Sequence, residues 1–260
     1  MSSNNLKPGS FCWMELATTD QQAAKTFYMD LFGWTASDSP MAPGEFYSIF
    51  QLEGKDVAAG YTLRPDQRQM GVPPHWMLYI ACENADASAK RASELGGTVL
   101  AGPFDVMDVG RMAVVKDPTG AVFCLWEAKK HSGVGAYAID NAFCWADLMT
   151  RDAARASEFY SQLFGWKWEK GEHDPSGYLH LKNGDDFIGG MPPSEHMTPG
   201  VTPHWQLYIQ VANCDASVDK AKRMGANVFF GPISMENVGR FAVVSDPQGA
   251  AFSVFQPARG

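Results

Sequence analysis

Long apolar runs, basic clusters and paired cysteines are all missing from this 260-residue sequence. No apolar run approaches the roughly 18 residues that a membrane helix needs, and the opening MSSNNLKPGS lacks the apolar core of a secretion signal. Lys and Arg form no cluster longer than AKK or AKR, and the net charge is −8. Proteins that follow phosphates need basic patches, so we expect neither a nucleic-acid partner nor a membrane partner.

The five cysteines are odd in number and show no CxxC spacing. Most of them lie in apolar segments typical of strands, so we interpret them as reduced, buried thiols of a cytoplasmic protein. A catalytic thiol is the alternative. Neither a Gly-rich phosphate loop nor a G-x-S-x-G nucleophile motif is found. We expect the protein to act on or bind a small molecule as a monomer or a homodimer.

The two halves of the chain repeat one another. FCWMELATTDQQAAKTFYMDLFGW (11–34) matches FCWADLMTRDAARASEFYSQLFGW (143–166), and PHWMLYI (74–80) matches PHWQLYI (203–209). VGRMAVVKDPTGAVFCLWE (109–127) likewise matches VGRFAVVSDPQGAAFSVFQ (238–256). A repeat of this extent indicates duplicated structure. It predicts one domain at 8–128, a linker at 129–140 that contains His131, and a second domain at 141–258.

Each half divides again into units of one strand, one helix and further strands. The segment TDQQAAKTFYMDLF shows helical spacing, with Thr19 and Gln22 fitting a capping box and Gly33 ending the helix. The order restarts at HWMLYIAC and closes with a hairpin through DPTG. We therefore predict an α+β fold of four βαβββ units, paired into two half-barrels that each enclose a cavity.

These features carry a family resemblance. The TTDQQAAKTFYMDLFGW opening, the restart near Asn84 and the closing D-P-x-G hairpin resemble the vicinal oxygen chelate superfamily, which includes glyoxalase I, extradiol dioxygenases and bleomycin-resistance proteins. GRMAVVKDPTGA and GRFAVVSDPQGA are similar to a tandem-repeat group that contains a mycobacterial culture-filtrate antigen, described as hydroxylase or glyoxalase-like. The resemblance implies the fold over nearly the whole chain, but one fold hosts many reactions.

Metal-dependent members of that superfamily carry His, His and Glu ligands, and the resemblance assigns a position to each. Six residues occupy these positions: Trp13, Met77 and Cys124 in the first half, and Trp145, Gln206 and Ser253 in the second. An indole donates a hydrogen bond and coordinates nothing, whereas a divalent ion needs three or more N or O ligands. We therefore expect no cofactor, with a divalent metal at a nonstandard site as the alternative.

Strand alternation extends both sets, because side chains two residues apart share a face of the sheet. The first cavity is then lined by Trp13, Glu15, His75, Met77, Tyr79, Cys124 and Trp126. The second is lined by Trp145, Asp147, His204, Gln206, Tyr208, Ser253 and Phe255. Each set combines aromatic walls with one acid, one imidazole and one phenol, a mixture typical of ligand pockets.

The acid and the imidazole of each set are the candidate catalytic residues. A carboxylate near a neutral imidazole can act as a general acid–base pair, which pairs Glu15 with His75 and Asp147 with His204. In the alternative interpretation, both histidines follow prolines at strand starts and only cap the strand ends. The carboxylates would then pair with a neighbouring backbone donor or an arginine.

Three functions fit these observations. The first is a binding protein for a small planar or aromatic organic molecule, as in the bleomycin-resistance branch. The second is a lyase or dioxygenase-type enzyme for a small carbonyl or aromatic substrate, using an acid–base pair or a nonstandard metal. The third is a scaffold whose cavities are filled by side chains. The aromatic walls and the missing metal ligands favour the first.

Overall fold

The computed structural model describes residues 7–171 and 176–258. The first repeat contains β1 (Phe11–Thr18), α1 (Gln21–Phe32), β2 (Thr35–Ala42), β3 (Glu45–Leu52), β4 (Lys55–Thr62), α2 (Pro65–Gln69), β5 (His75–Ala81), α3 (Ala85–Glu94), β6 (Thr98–Val106), β7 (Gly110–Lys116) and β8 (Val122–Ala128). Within the described residues, none of the helices is long and apolar enough to cross a membrane.

The second repeat follows the same order. It contains β9 (Phe143–Met149), α4 (Ala153–Phe164), β10 (Lys167–Lys170), β11 (Leu179–Asn183), β12 (Asp186–Met191), a 3-10 turn (Ser194–His196), β13 (His204–Gln210), α5 (Cys214–Arg223), β14 (Asn227–Met235), β15 (Gly239–Ser245) and β16 (Ala251–Pro257).

The strands form two eight-stranded sheets with the same topology. Their orders are β2-β3-β4-β1-β5-β8-β7-β6 and β10-β11-β12-β9-β13-β16-β15-β14. β1 with β4 and β5 with β8 are parallel pairs, whereas the β3–β4 and β7–β8 hairpins are antiparallel. The predicted α+β fold of four βαβββ units is therefore confirmed. The hydrophobic pattern of the sequence does not reveal β2 and β10, because they are polar, exposed edge strands.

The chain forms two compact units, each built from three segments. The first unit comprises the chain up to Trp13, Leu78–Gly133 and Ala146–Gln206. The second unit comprises Met14–Met77, Val134–Trp145 and the chain from Leu207 onward. Each unit therefore combines elements of both repeats.

Helix α1 begins one residue later than the sequence indicates. The carboxylate of Asp20 accepts a hydrogen bond from Ala23 N at 2.9 Å, so Asp20 is the N-cap and the capping box predicted from Thr19 and Gln22 is wrong. Aspartate is among the best N-cap residues because its oxygen satisfies an amide of the first turn. Gly33 ends the helix as predicted, with a left-handed φ of 71°.

In the second unit, a buried hydrogen-bond network joins α1 to the closing hairpin of the other repeat. The Tyr28 hydroxyl donates to Asp246 Oδ2 at 3.0 Å and accepts from Trp76 Nε1 at 3.0 Å. Asp246 Oδ1 accepts three backbone N–H groups, those of residues 248–250, at 2.8–3.0 Å. Burial raises the pKa of the Asp246 carboxyl above its usual value, and burial together with the Asp246 charge raises the pKa of Tyr28.

The first unit repeats this network with different residues. The Tyr160 hydroxyl donates to Asp117 Oδ2 at 3.0 Å and accepts from Trp205 Nε1 at 2.9 Å. Asp117 Oδ1 accepts the amides of residues 119–121 at 2.7–3.0 Å. The aspartate of each D-P-x-G turn thus closes its own turn and also binds a helix of the other repeat. We call the two arrangements the Tyr28 network and the Tyr160 network.

Removal of either hydroxyl is expected to destabilise the protein. Tyr28→Phe leaves the Asp246 carboxylate and the Trp76 indole each one hydrogen bond short, and an unsatisfied buried polar group costs about 1–3 kcal/mol. We expect Tyr28→Phe and Tyr160→Phe to lower the free energy of unfolding in urea by at least that amount. Tyr137, whose side chain is exposed, provides the control Tyr137→Phe. Equal stability of Tyr28→Phe and this control would contradict the expectation.

The raised pKa of Asp246 gives a pH dependence with a defined sign. Because the folded state favours the protonated carboxyl, its stabilising contribution is complete below the unfolded pKa of about 3.9 and is lost as pH rises through the folded pKa. The unfolding free energy of the wild type, measured relative to Asp246→Asn, is expected to fall as pH increases from about 3. Urea titrations across this range test it, and a difference that grows with pH would be the contrary result.

Candidate functional site

A carboxylate–phenol pair occupies a matching place in each repeat. On β1, Glu15 Oε2 accepts a hydrogen bond of 2.7 Å from the hydroxyl of Tyr47 on β3. On β9, Asp147 Oδ1 accepts one of 2.5 Å from Tyr178, which directly precedes β11. The sequence singled out both acids but neither phenol, because their contact depends on the register between neighbouring strands, which alternation within one strand does not give.

Strand register explains how the second pair forms. Asp147 is paired with Gly190 on β12, and Gly190 with His180 on β11, so the three residues lie side by side on one face. A Cβ built at Gly190 would overlap the Tyr178 hydroxyl. The phenol therefore occupies the space that a side chain at position 190 would fill.

The first pair has the same register but different residues. Glu15 is paired with Ala59, and Ala59 with Ile49, so an alanine and an isoleucine stand where the second repeat has Gly190 and His180. The His180 ring lies 5.0 Å from that of Tyr178 and 5.6 Å from that of Phe187. The second pair thus has an imidazole beside it, which the sequence analysis did not single out.

An aromatic cluster in the first unit is covered by the linker. The His131 ring lies edge-on to Trp13, at 4.4 Å between centroids, and 6.0 Å from Trp126. The Trp126 indole donates to the His131 carbonyl at 2.9 Å, and Tyr79 lies 6.0 Å from Trp126. A Cβ at Gly110 would overlap the Trp126 ring, so this glycine makes room for it. Trp13, Tyr79 and Trp126 are all buried, at 4–5% exposure.

The corresponding aromatic residues of the second repeat are more accessible. Trp145, Tyr208 and Phe255, which all belong to the second unit, are half-buried. The Tyr208 ring lies 6.1 Å from Phe241 on β15, and its register partner on β16 is Ser253. Equivalent aromatic residues of the two repeats therefore differ in their exposure to solvent.

The two predicted catalytic histidines bond to their own backbone. His75 Nδ1 lies 2.8 Å from the carbonyl of Pro73, and His204 Nδ1 lies 2.9 Å from that of Thr202. Each histidine is the first residue of its strand, and this hydrogen bond holds the backbone just before β5 or β13. The arrangement favours the strand-capping interpretation, while the pairing of His75 with Glu15 and of His204 with Asp147 stays a prediction.

The residues at the inherited metal positions have poor donor chemistry. Met77 and Trp145 are half-buried, whereas Trp13, Cys124, Gln206 and Ser253 are buried. Within residues 7–171 and 176–258, no group of three or more His, Cys, Asp and Glu side chains could hold a metal ion. Indole nitrogen does not coordinate a metal, and a thioether with one thiol, or one amide with one hydroxyl, does not supply the three or more N or O ligands that a divalent ion requires. The residues present therefore do not fit the metal that the fold family implies.

Comparison with known families and proteins matches both repeats. Residues 10–125 match the family model of the Glyoxalase/Bleomycin resistance protein/Dioxygenase superfamily, and residues 144–255 match that of a glyoxalase-like domain. The chain is 40% identical over 254 residues to CFP32 of Mycobacterium bovis, named as a candidate glyoxylase, with 97% of this chain and 96% of that protein covered. It is 36% identical over 266 residues to the anthracycline biosynthesis protein DauV of Streptomyces sp. strain C5, covering 96% and 94%.

Solved structures share the fold. The Mn(II)-bound glyoxalase of Novosphingobium aromaticivorans superposes with a TM-score of 0.67 at 14% identity, covering 96% of this chain and 82% of that one. The 2,3-dioxygenase LapB of Pseudomonas sp. KL28 gives a TM-score of 0.66 at 11% identity, covering 98% and 94%. At such identities the likeness concerns the fold alone.

Removal of the His131 ring is expected to loosen the first aromatic cluster. Edge-on aromatic contacts contribute about 0.5–1.5 kcal/mol beyond burial, so His131→Ala should lower the free energy of unfolding by about that amount. The matched variant His131→Phe keeps a ring in place and is expected to retain most of the stability. Urea titrations of both variants provide the measurement. Equal stability of the two variants would show that the ring does not stabilise the cluster.

Proposed function

Since this chain belongs to the Glyoxalase/Bleomycin resistance protein/Dioxygenase superfamily, we propose that it binds a small planar or aromatic organic molecule without a metal ion. The observation that carries the proposal is the accessible aromatic set of the second unit, formed by Trp145, Tyr208 and Phe255. Flat aromatic side chains favour flat ligands, and such contacts contribute about 0.5–1.5 kcal/mol each beyond burial.

The relatives support this ligand class. DauV is named for anthracycline biosynthesis, and anthracyclines are planar polycyclic aromatic compounds. The buried set of Trp13, Tyr79 and Trp126, which His131 covers, is the poorer binding surface. We therefore assign ligand binding to the second repeat.

An enzyme is the second candidate. The name of CFP32 favours a lyase of the glyoxalase type acting on a small carbonyl compound, and a dioxygenase-type reaction on an aromatic substrate belongs to the same superfamily. Such a reaction would use the acid–base pairs Glu15 with His75 and Asp147 with His204. No step is assigned to a metal, because the donor set does not fit one.

Isothermal titration calorimetry with 2-naphthol tests the binding proposal. We expect the protein to bind this planar probe with the same affinity before and after treatment with EDTA. Trp145→Leu should weaken binding about 2- to 12-fold, the equivalent of one aromatic contact. Trp168 is also half-buried but lies outside the proposed set, so Trp168→Leu should leave the affinity unchanged.

Two results would overturn the proposal. Loss of binding on metal removal would show that an ion participates. Unchanged affinity in Trp145→Leu would show that the aromatic set of the second unit does not contact the probe. Turnover of a carbonyl compound by the metal-free protein would favour the second candidate.

A further inference from the structure

A row of rings in the second unit extends beyond the residues to which the proposed function assigns the ligand. The Phe241 ring on β15 lies 6.1 Å from that of Tyr208 on β13 and 5.8 Å from that of Phe230 on β14. Phe241 is half-buried, and Phe230, on the edge strand of the sheet, is 50% exposed. We call Tyr208, Phe241 and Phe230 the aromatic row. All three residues belong to the second unit.

Strand register places the row on the sheet face opposite helix α5. Phe230 is the register partner of Val243, and Val243 lies two residues from Phe241, so their side chains share one face. On the other face, Arg240 binds Asp215 of α5. Arg240 is the one charged residue of β14, β15 and β16, three strands that the structure describes in full. The face of these strands that carries the row is therefore uncharged.

The first repeat has the same strands without the same rings. Ala101 stands at the position of Phe230, and Met112 at that of Phe241. In both repeats, a register shift of the outer strand lies on either side of this position. Because Ala101 lies between the same bulges, the fold does not require a ring there. A contiguous, accessible aromatic surface that the fold does not require indicates a binding surface.

We propose that the aromatic row extends the binding surface, so that its ligand is a neutral planar molecule of three or more fused rings. This inference rests on the proposed function and names the ligand class for it. The row runs from β13 across β16 and β15 to β14, and neighbouring strands lie about 4.8 Å apart. A compound of two fused rings therefore covers only part of the row.

The geometry and the charge of the row both fit this ligand class. Its neighbouring rings are inclined to one another by 55° and 41°, so a flat ligand contacts ring faces and ring edges in turn. Both geometries are favourable for aromatic pairs. An anionic ligand would lose its hydration without gaining a cationic partner from β14, β15 or β16, because Arg240 lies on the other face.

Two probes that differ by one fused ring test the length of the binding surface. 2-Anthrol and 2-naphthol each carry one hydroxyl group, and titration calorimetry is expected to show tighter binding of 2-anthrol. Phe230→Ala should weaken the binding of 2-anthrol about 2- to 12-fold, the equivalent of one aromatic contact, and leave that of 2-naphthol unchanged. Phe229, 63% exposed and outside the row, provides the matched control Phe229→Ala, which should leave both affinities unchanged.

A second variant and a third probe test the middle of the row and its charge. Phe241→Met reproduces the side chain of Met112 and should reduce the preference for 2-anthrol while 2-naphthol still binds. Anthracene-2-sulfonate, an anion with the same ring system, should bind more weakly than 2-anthrol. Circular dichroism melting curves identify any variant that fails to fold, and Phe230→Ala, at the sheet edge, then provides the deciding measurement.

The outcomes distinguish this inference from the proposed function. Binding of neither 2-anthrol nor 2-naphthol would overturn both. If Trp145→Leu weakens 2-naphthol binding but the preference for 2-anthrol is missing or survives Phe230→Ala, the longer ligand is wrong and the proposed function stands. Equal losses in Phe229→Ala and Phe230→Ala would show that 2-anthrol binds any exposed ring. A dimer in sedimentation analysis that Phe230→Ala dissociates would show that a second copy covers this face, and would also overturn the inference.

Discussion

The buried hydrogen bond from Tyr28 to Asp246 joins residues 218 positions apart, and the bond from Tyr160 to Asp117 repeats it. Each tyrosine comes from the first helix of one repeat, and each aspartate from the closing turn of the other. Neither repeat can complete its own network. This explains why each compact unit combines segments of both repeats. The buried Asp246 is tolerated because it accepts four hydrogen bonds, one from Tyr28 and three from backbone amides.

The same chemical pair occurs a second time at the candidate site, in a different environment. Asp246 and Asp117 each accept hydrogen bonds from the backbone amides of their turn and from a tyrosine hydroxyl, so their role is structural. Glu15 and Asp147 pair with half-buried phenols on the sheet face that also carries Trp13 and Trp145 by alternation. The structural pairs therefore differ from the candidate pairs in the backbone partners of the acid and in the complete burial of the phenol.

The repeat and its strand–helix order were sufficient to predict the two sheets, because the hydrophobic pattern and the D-P-x-G turns specify them locally. Alternation also selected Glu15 and Asp147. It could not find Tyr47 or Tyr178, since their contact with the acids depends on register across three strands. The contact of His131 with Trp13 was not predicted, because a linker has no helical or strand periodicity that indicates the direction of its side chains.

A crystal structure of the protein soaked with 2-naphthol would test the central claim most directly. The expected result is density for the probe in the second repeat, with its ring against Trp145, Tyr208 and Phe255. Density for the probe only at other residues would contradict the assignment of ligand binding to the aromatic set of the second unit.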